Sequence, residues 1–438
     1  MLKVVKFGGS SMADAGQYEK VKSIVSSDPS RTVVVVSAAG KRFSGDHKLT
    51  DLLYLCYAHL QYGVSCDSVY QMICDRYLEI RDQLKLDVDL ETEFAALRKK
   101  MDSGISQDEL VSRGEYFSAK LMAAYLGFDF LDAADWLTFN MDGSINEQQS
   151  YETLAGLAAD RRVVIPGFYG VMPGGAVHIM ERGGSDITGA LAAAALQADV
   201  YENWTDVSGI LMADPRIVED ARTIRRVTYS ELRELSYIGA QVLHEATIFP
   251  VRDKNIPLNI RNTNDPDHPG TMIREAFDDT VGEEEGIITG IAGKKNFLIL
   301  TVTKNGMSSR PDSIRIIMEV FEKYGICVSY APTGIDCFSA VVEESRLSSC
   351  RYAVLADLEK ALKPDSIVVS DEIAVVAVVG RKMAKRAGTS AKIFDVLGKN
   401  NINIRMISQG PEELNIIIGV NNKDYVPAIR ILYQSFVK

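Results

Sequence analysis

The chain has 438 residues, enough for about three domains at roughly 150 residues each. Its 48 basic and 59 acidic residues leave a net charge of −11, which argues against a nucleic-acid or anionic-membrane binder, because both need a positive face. A composition that is 46% hydrophobic and 24% charged excludes a disordered or low-complexity chain and provides for sizeable cores.

Met1-Leu2-Lys3-Val4-Val5-Lys6 runs straight into a glycine pair, with no secretory apolar stretch. The longest apolar runs, such as 190–196 and 373–379, fall far short of the roughly 20 residues that span a bilayer. Six cysteines include no Cys-x-x-Cys pair, and the five histidines show no metal-ligand spacing. The expectation is a soluble, reduced, cytoplasmic protein with no protein-built metal site.

Residues 4–7 and 32–36 are mostly apolar runs, as buried parallel strands require, and Tyr18, Val21, Ile24 and Val25 between them share one helical face. That is a βαβ unit, and its repetition predicts an α/β domain with a mostly parallel sheet. Lys6-Phe7-Gly8-Gly9-Ser10-Ser11 puts a lysine at a strand end and two glycines in the following loop. Such a loop either cradles phosphate or is a tight strand-to-helix turn. No Walker A pattern occurs. Thr50-Asp51 and Ser112-Arg113-Gly114-Glu115 both read as helix starts, and Glu115 is the kind of carboxylate that holds an ammonium group, with capping as the plainer role.

Arg182-Gly183-Gly184-Ser185-Asp186 precedes an alanine-rich helix, where free amides and the helix dipole favour an anion. After a strand at 199–204, Thr205-Asp206-Val207-Ser208-Gly209 and Asp214-Pro215-Arg216 form a polar loop that suits a nucleotide or makes two turns. His244 reads as a packed structural histidine. Turn chemistry over 265–270 and a charged stretch at 283–286 place a domain boundary near residue 285.

The rest holds an internal repeat. Strands at 297–302, 326–330 and 337–342 and helices around 314–321 and 348–362 return as strands at 373–379, 402–407 and 414–420 with helices near 393–397 and 424–436. Ile326 and Ile402 correspond, 76 residues apart. Two βαββα modules, 294–370 and 371–438, therefore follow a domain covering 1–285.

In this order the motifs resemble the aspartokinases of the amino-acid-kinase family. Lys6 to Ser11, Ser37-Ala38-Ala39-Gly40, Thr50 to Leu53, Ser112 to Glu115, Gly167-Phe168-Tyr169-Gly170, Arg182 to Asp186 and Thr205 to Arg216 carry the match. Any one is weak; seven in order are specific. The resemblance implies an amino-acid-kinase sandwich with a mostly parallel central sheet, followed by two ferredoxin-like ACT domains. The second of these takes its first strand from about 286–293. It also implies transfer of the γ-phosphoryl group of Mg-ATP to the side-chain carboxylate of L-aspartate, giving 4-phospho-L-aspartate, the entry to lysine, threonine, methionine and diaminopimelate. A carboxylate is already ionised, so the need is for positioning and cationic stabilisation, not a strong base.

By resemblance, Lys6 bridges aspartate and the moving phosphoryl group, Asp186 orients Lys6, and Arg182 pairs with a substrate carboxylate. Glu115 holds the α-ammonium, with Thr50, Phe168 and Ser185 completing the pocket. Gly8, Gly9, Ser37, Thr205, Asp206, Leu211, Arg216 and Gln241 lie on the ATP side, and magnesium rides mainly on the phosphates. An amino-acid effector, lysine or threonine or both, is expected near Met307, Ser329 and Thr333, in a homodimer or dimer of dimers joined through the ACT domains. Asp312 or Asp336 is a candidate partner for a lysine ammonium. At this length a monofunctional enzyme, without a fused homoserine dehydrogenase, is expected.

Departures from the pattern are Gln241 where the family usually has lysine, Glu181 where glycine is common, Leu211 in place of tyrosine and Glu245 in place of proline. Losing a cation and gaining an anion each costs about 1–3 kcal/mol if unscreened, so weaker ATP affinity or slower turnover is expected. Two alternatives stand beside this reading: a relative acting on glutamate or carbamate, and an amino-acid sensor whose catalysis has decayed.

Overall fold

The structure is a computed structural model that describes residues 1–180, 183–239, 245–278, 286–384 and 386–437. The chain forms two compact units, one of residues 1–210, 225–229 and 243–277, the other of 211–224, 230–242 and 278–438. Segments 211–224 and 230–242, which precede the expected boundary near 285, thus pack with the C-terminal repeat. The stretch 279–285 lies outside the described residues.

The first unit begins with β1 (Lys3–Phe7), α1 (Ala15–Ser26) and β2 (Arg31–Val36), the βαβ unit that the valine runs predict. Four helices follow: α2 (Leu49–Gln61), α3 (Asp67–Gln83), α4 (Leu90–Ser103) and α5 (Gln107–Leu126). Then come β3 (Asp129–Phe130), α6 (Glu147–Leu157), β4 (Val163–Pro166), the hairpin β5 (Tyr169–Val171) and β6 (Val177–Ile179), α7 (Gly184–Ala195) and β7 (Val200–Thr205). After β8 (Arg226–Thr228) and α8 (Tyr229–Tyr237), α9 (Glu245–Asp253), β9 (Leu258–Asn262) and β10 (Thr271–Arg274) complete it. Of α8, only Tyr229 belongs to this unit.

Its sheet runs β3-β4-β2-β1-β7-β9-β10-β8 and is parallel except between β9 and β10. The central strands are buried over nearly their whole length, as a sheet covered on both faces demands. The antiparallel pair is joined through the predicted turn at 265–270. There Gly270 adopts φ 71°, and a Cβ would lie 1.9 Å from the Ile260 carbonyl oxygen, so only glycine closes the turn.

One expectation is corrected here. Ser112 does not open a helix: α5 starts at Gln107, with the Ser106 hydroxyl accepting from the Glu109 amide. Ser106-x-x-Glu109 and Ser112-x-x-Glu115 are the same capping-box pattern, and the buried Leu110 and Val111 carry the helix back to the earlier one. The Ser-Arg-Gly-Glu motif therefore lies in the second and third turns of a long buried helix.

The second unit has a five-stranded antiparallel sheet ordered β12-β11-β13-β15-β14. Its elements are β11 (Gly290–Thr303), α10 (Ser313–Lys323), β12 (Cys337–Glu343), α11 (Glu344–Leu347), α12 (Arg351–Leu362), β13 (Ser366–Val379), α13 (Thr389–Lys399), β14 (Met406–Ser408), β15 (Asn415–Asn421) and α14 (Tyr425–Val437). The 14-residue strands β11 and β13 each serve both halves of the repeat. Gly290–Lys294 pairs with Val375–Val379, and Phe297–Thr303 pairs with β12 on one side and with residues 366–373 on the other. Separate cores lie under α10 and α12 and under α13 and α14.

The expected strand at 326–330 is absent as a ladder. Only Tyr330 bridges Val341, because Pro332 follows closely and cannot donate to a ladder. The expected 402–407 strand shortens likewise to β14. Among the described residues no helix is long and apolar enough to cross a membrane.

Candidate functional site

At the carboxyl ends of β1, β2 and β7, three loops meet. The Gly8 amide donates to the Trp204 carbonyl (3.0 Å), and the Gly40 amide donates to the Gly9 carbonyl (2.8 Å). A Cβ on Gly40 would lie 2.6 Å from the Gly9 backbone, so the loops after β1 and β2 touch through glycine. Ser37 is half-buried, and its amide donates to the Phe7 carbonyl (3.1 Å). The Ser11 and Thr263 hydroxyls bond at 2.8 Å, tying the β1 loop to the end of β9.

Lys6 is 6% exposed, and its Nζ lies 2.5 Å from Asp186 Oδ1. The same oxygen accepts from Asn203 Nδ2 (3.0 Å), while the Tyr201 hydroxyl donates to the Asp186 carbonyl (3.0 Å). A buried ammonium needs a partner, and a partly buried carboxylate gains from more than one donor; this group satisfies both. A Cβ on Gly8 would sit 3.5 Å from Nζ, in ordinary contact, so this loop runs directly beside the ammonium.

Asp186 stands in the first turn of α7, whose N-cap Gly183 is left-handed (φ 83°). Gly167 and Phe168 press against this turn: a Cβ on Gly167 would meet the Ser185 Cα at 2.7 Å, and one on Gly184 would meet the Phe168 ring at 2.6 Å. Phe168 itself takes φ 81°, uncommon for a bulky residue, and its amide donates to Thr188 Oγ1 (3.0 Å). Backbone strain of this kind persists only where surroundings impose it, and it gathers at ligand sites.

Glu115 is 5% exposed on α5. Burial pushes its carboxyl up to about 8, against the opposing pull of the Ala38 and Glu115 amides and of the Arg113 and Lys6 charges. Its Oε2 has no hydrogen-bond partner. Gly114 lets α5 approach the β2 loop, because a Cβ there would lie 2.8 Å from the Ala38 Cβ. Thr50 is half-buried in the first turn of α2. The loop between β2 and α2 is held by a buried pair, Arg76 to Asp46 (2.8 Å), with Arg76 also donating to the Gly40 carbonyl (3.2 Å).

Lys6, Gly8, Gly9, Ser37, Asp186 and Ser185 therefore cluster around one set of strand ends, with Thr205 at the end of β7 and Asp206 exposed beside it (3.2 Å). Leu211 and Arg216 belong to the second unit; Arg216 is exposed and bidentate to Asp214 (2.7 and 3.0 Å). Glu181, Arg182, Gln241 and His244 lie outside the described residues, as does the side chain of Glu245. In the C-terminal unit Met307 is a buried core residue, Ser329 is half-buried with its amide on the Val341 carbonyl (2.8 Å), and Thr333 is exposed.

Sequence reasoning missed Asn203, Tyr201 and Arg76. The signal for the first was present: Glu202-Asn203 are polar residues inside a strand whose neighbours are all core, and buried polar groups are there to bond something.

Residues 1–262 match the amino acid kinase family and residues 376–436 an ACT domain. The chain is 34% identical over 451 residues to Aspartokinase 3 of Bacillus subtilis (strain 168), covering 99% of this chain and 98% of that one. It spans about half the length of the bifunctional plant relatives that it also matches. Among solved structures, the aspartate kinase of Clostridium acetobutylicum superposes with a TM-score of 0.90 at 45% identity over 99% of both chains. Aspartokinase III of E. coli superposes at 0.72 with 25% identity over 100% of both, in an R-state complex with aspartate and ADP and in a T-state complex with lysine and aspartate.

Proposed function

Because the chain belongs to the aspartokinases of the amino acid kinase family, we propose that it transfers the γ-phosphoryl group of ATP to the side-chain carboxylate of L-aspartate. A carboxylate oxygen forms a bond to the γ-phosphorus as the bond to the ADP oxygen breaks, and no proton has to move. The product is 4-phospho-L-aspartate. The observation that carries this reading is the buried, half-partnered Glu115 carboxylate, within electrostatic reach of the Lys6–Asp186 pair.

Lys6 brings a desolvated positive charge to the two anions that must meet, and Asp186 and Asn203 hold it in place. Glu115 takes the substrate's ammonium on Oε2; Arg182 pairs with a carboxylate of aspartate, and Thr50, Phe168 and Ser185 line the pocket. Gly8, Gly9, Ser37, Thr205 and Asp206 serve the nucleotide. The glycine contacts fit a polyphosphate brought close to backbone amides. Magnesium would be held mainly by the ATP phosphates and would there offset their charge.

The domains proposed are a catalytic domain over 1–285 and ACT domains over 294–370 and 371–438, the second completed by 286–293. The enzyme acts in the cytoplasm as a homodimer or dimer of dimers. An amino-acid effector, with lysine favoured by the T-state relative, binds the first ACT domain near Met307, Ser329 and Thr333.

The test is hydroxylamine trapping of the acyl phosphate with Mg-ATP and L-aspartate. Aspartate-dependent hydroxamate that disappears in Lys6→Ala is expected; none from the wild type would leave an amino-acid sensor. Glu115 adds a pH signature. Its folded-state value, about 8, lies above the usual 4.5, so the stability it contributes is present below 4.5 and is lost as pH rises through 8. Glu115→Gln should therefore raise the thermal midpoint at pH 8.5 more than at pH 5, while abolishing aspartate binding. In the wild type, aspartate binding at pH 7 should release a proton, read by calorimetry in two buffers.

A further inference from the structure

The hairpin of β5 and β6 begins just after Phe168 and ends three residues before Arg182. Its first strand is fixed from below: a Cβ on Gly170 would lie 2.3 Å from the Leu137 carbonyl oxygen, and the Tyr169 hydroxyl donates to Asp132 (2.7 Å). Its second strand is only half-buried. There, His178 Nδ1 lies 2.8 Å from Asp108 Oδ2, and the Ile179 amide donates to the same oxygen (3.3 Å). A carboxylate only accepts, so Nδ1 carries the proton. The Phe139 ring meets the imidazole edge-on at 4.8 Å between centroids.

Asp108 is in the first turn of α5, and Glu115 is seven residues on, hence on the same helix face. The Tyr54 phenol on α2, one turn beyond Thr50, is raised first by its burial and then by the Asp108 and Glu115 charges. The Met180 amide then donates to the Phe168 carbonyl (2.8 Å), closing the hairpin at the residue before 181–182.

We propose that the His178–Asp108 clasp is a positioning device for the amino-acid pocket. It sets the β5–β6 hairpin, with Phe168 at its base, against the helix that carries Glu115. His178 touches neither substrate; it acts through the spacing of the groups that do. This rests on the aspartokinase reading.

The experiment is steady-state kinetics of wild type, His178→Ala, His178→Asn, Asp108→Ala and the double alanine variant by the hydroxamate assay. Losing one hydrogen bond from a half-exposed pair should raise the KM for aspartate about five-fold in His178→Ala, with kcat and the KM for ATP unchanged within about two-fold. Asparagine puts an amide N–H where Nδ1 was and should restore most of the loss. The double variant should add little to either single one. An unmoved KM for aspartate, an equal rise for ATP, or failure of asparagine to rescue would overturn the clasp while the activity stands. A wild type without aspartate-dependent hydroxamate would overturn the activity and the clasp with it.

Discussion

The two ACT domains share a fold and differ at the turn before their first helix. Helices α10 and α13 start and end 76 residues apart, and Met307 and Met383, also 76 apart, are both buried to 6% exposure. In the first domain the Ser313 hydroxyl is fully buried at the start of α10, has no partner, and Asp312 makes no side-chain cap. In the second, the equivalent Thr389 hydroxyl donates to the Arg386 carbonyl (2.9 Å). That turn is held further by Glu231 of α8, wholly buried, which accepts from the Arg381 amide (2.8 Å), the Arg381 guanidinium (3.2 Å) and the Thr289 hydroxyl (2.6 Å). A buried unpartnered hydroxyl calls for an explanation, and a helix N-terminus favours a carboxylate. One scaffold thus differs at one place: the second turn is filled by the protein's own groups, while the first keeps a buried hydroxyl without a partner, where the proposed amino-acid effector would bind.

The largest effect should come from opening the filled turn. Glu231→Ala takes the carboxylate from a mostly buried arginine and two further donors, which should cost about 3–5 kcal/mol in chemical denaturation. A loss below about 1 kcal/mol would mean that the second turn stays shut without Glu231, and the contrast between the domains would then need another cause.

Next comes a crossed pair. Ser313→Ala removes a hydroxyl that bonds nothing in the free protein, so free-state stability should stay within about 0.5 kcal/mol of wild type. Lysine should bind about five-fold more weakly, one hydrogen bond's worth. Thr389→Ala should do the reverse, costing about 1 kcal/mol of stability and leaving the lysine response alone. Thermal shifts with and without lysine read both, and alanine variants that behave alike would break the comparison.

Much of this architecture was legible in the sequence because valine runs, glycine pairs and a 76-residue repeat are local signals. The parallel strands, the Lys6 loop and the α7 start needed only adjacent residues. The Lys6–Asp186–Asn203 group was legible in part, since resemblance joined Lys6 to Asp186, but Asn203 reaches them only through the pairing of β1 with β7. Glu115 was identified by resemblance, yet its helix was started five residues late, because Ser112 and Ser106 both look like caps and only burial separates them. The missing ladder at 326–330 shows the same limit. Its residues favour a strand, but the neighbouring proline limits how many ladder bonds form.

The smallest effect concerns Asp336. One of its carboxylate oxygens accepts from the Gly306 amide (2.9 Å), and its carbonyl accepts from the Lys304 amide (2.9 Å), so it already shapes the open turn. Asp336→Asn keeps an acceptor for Gly306 and removes only the charge. If that charge also meets the lysine side chain, lysine should bind about two- to five-fold more weakly, the scale of a partly exposed ion pair, with threonine binding unchanged. Titration of both amino acids into the variant decides the role. An equal loss for both would place Asp336 in the turn alone, and the ammonium would have to be met elsewhere in the first domain.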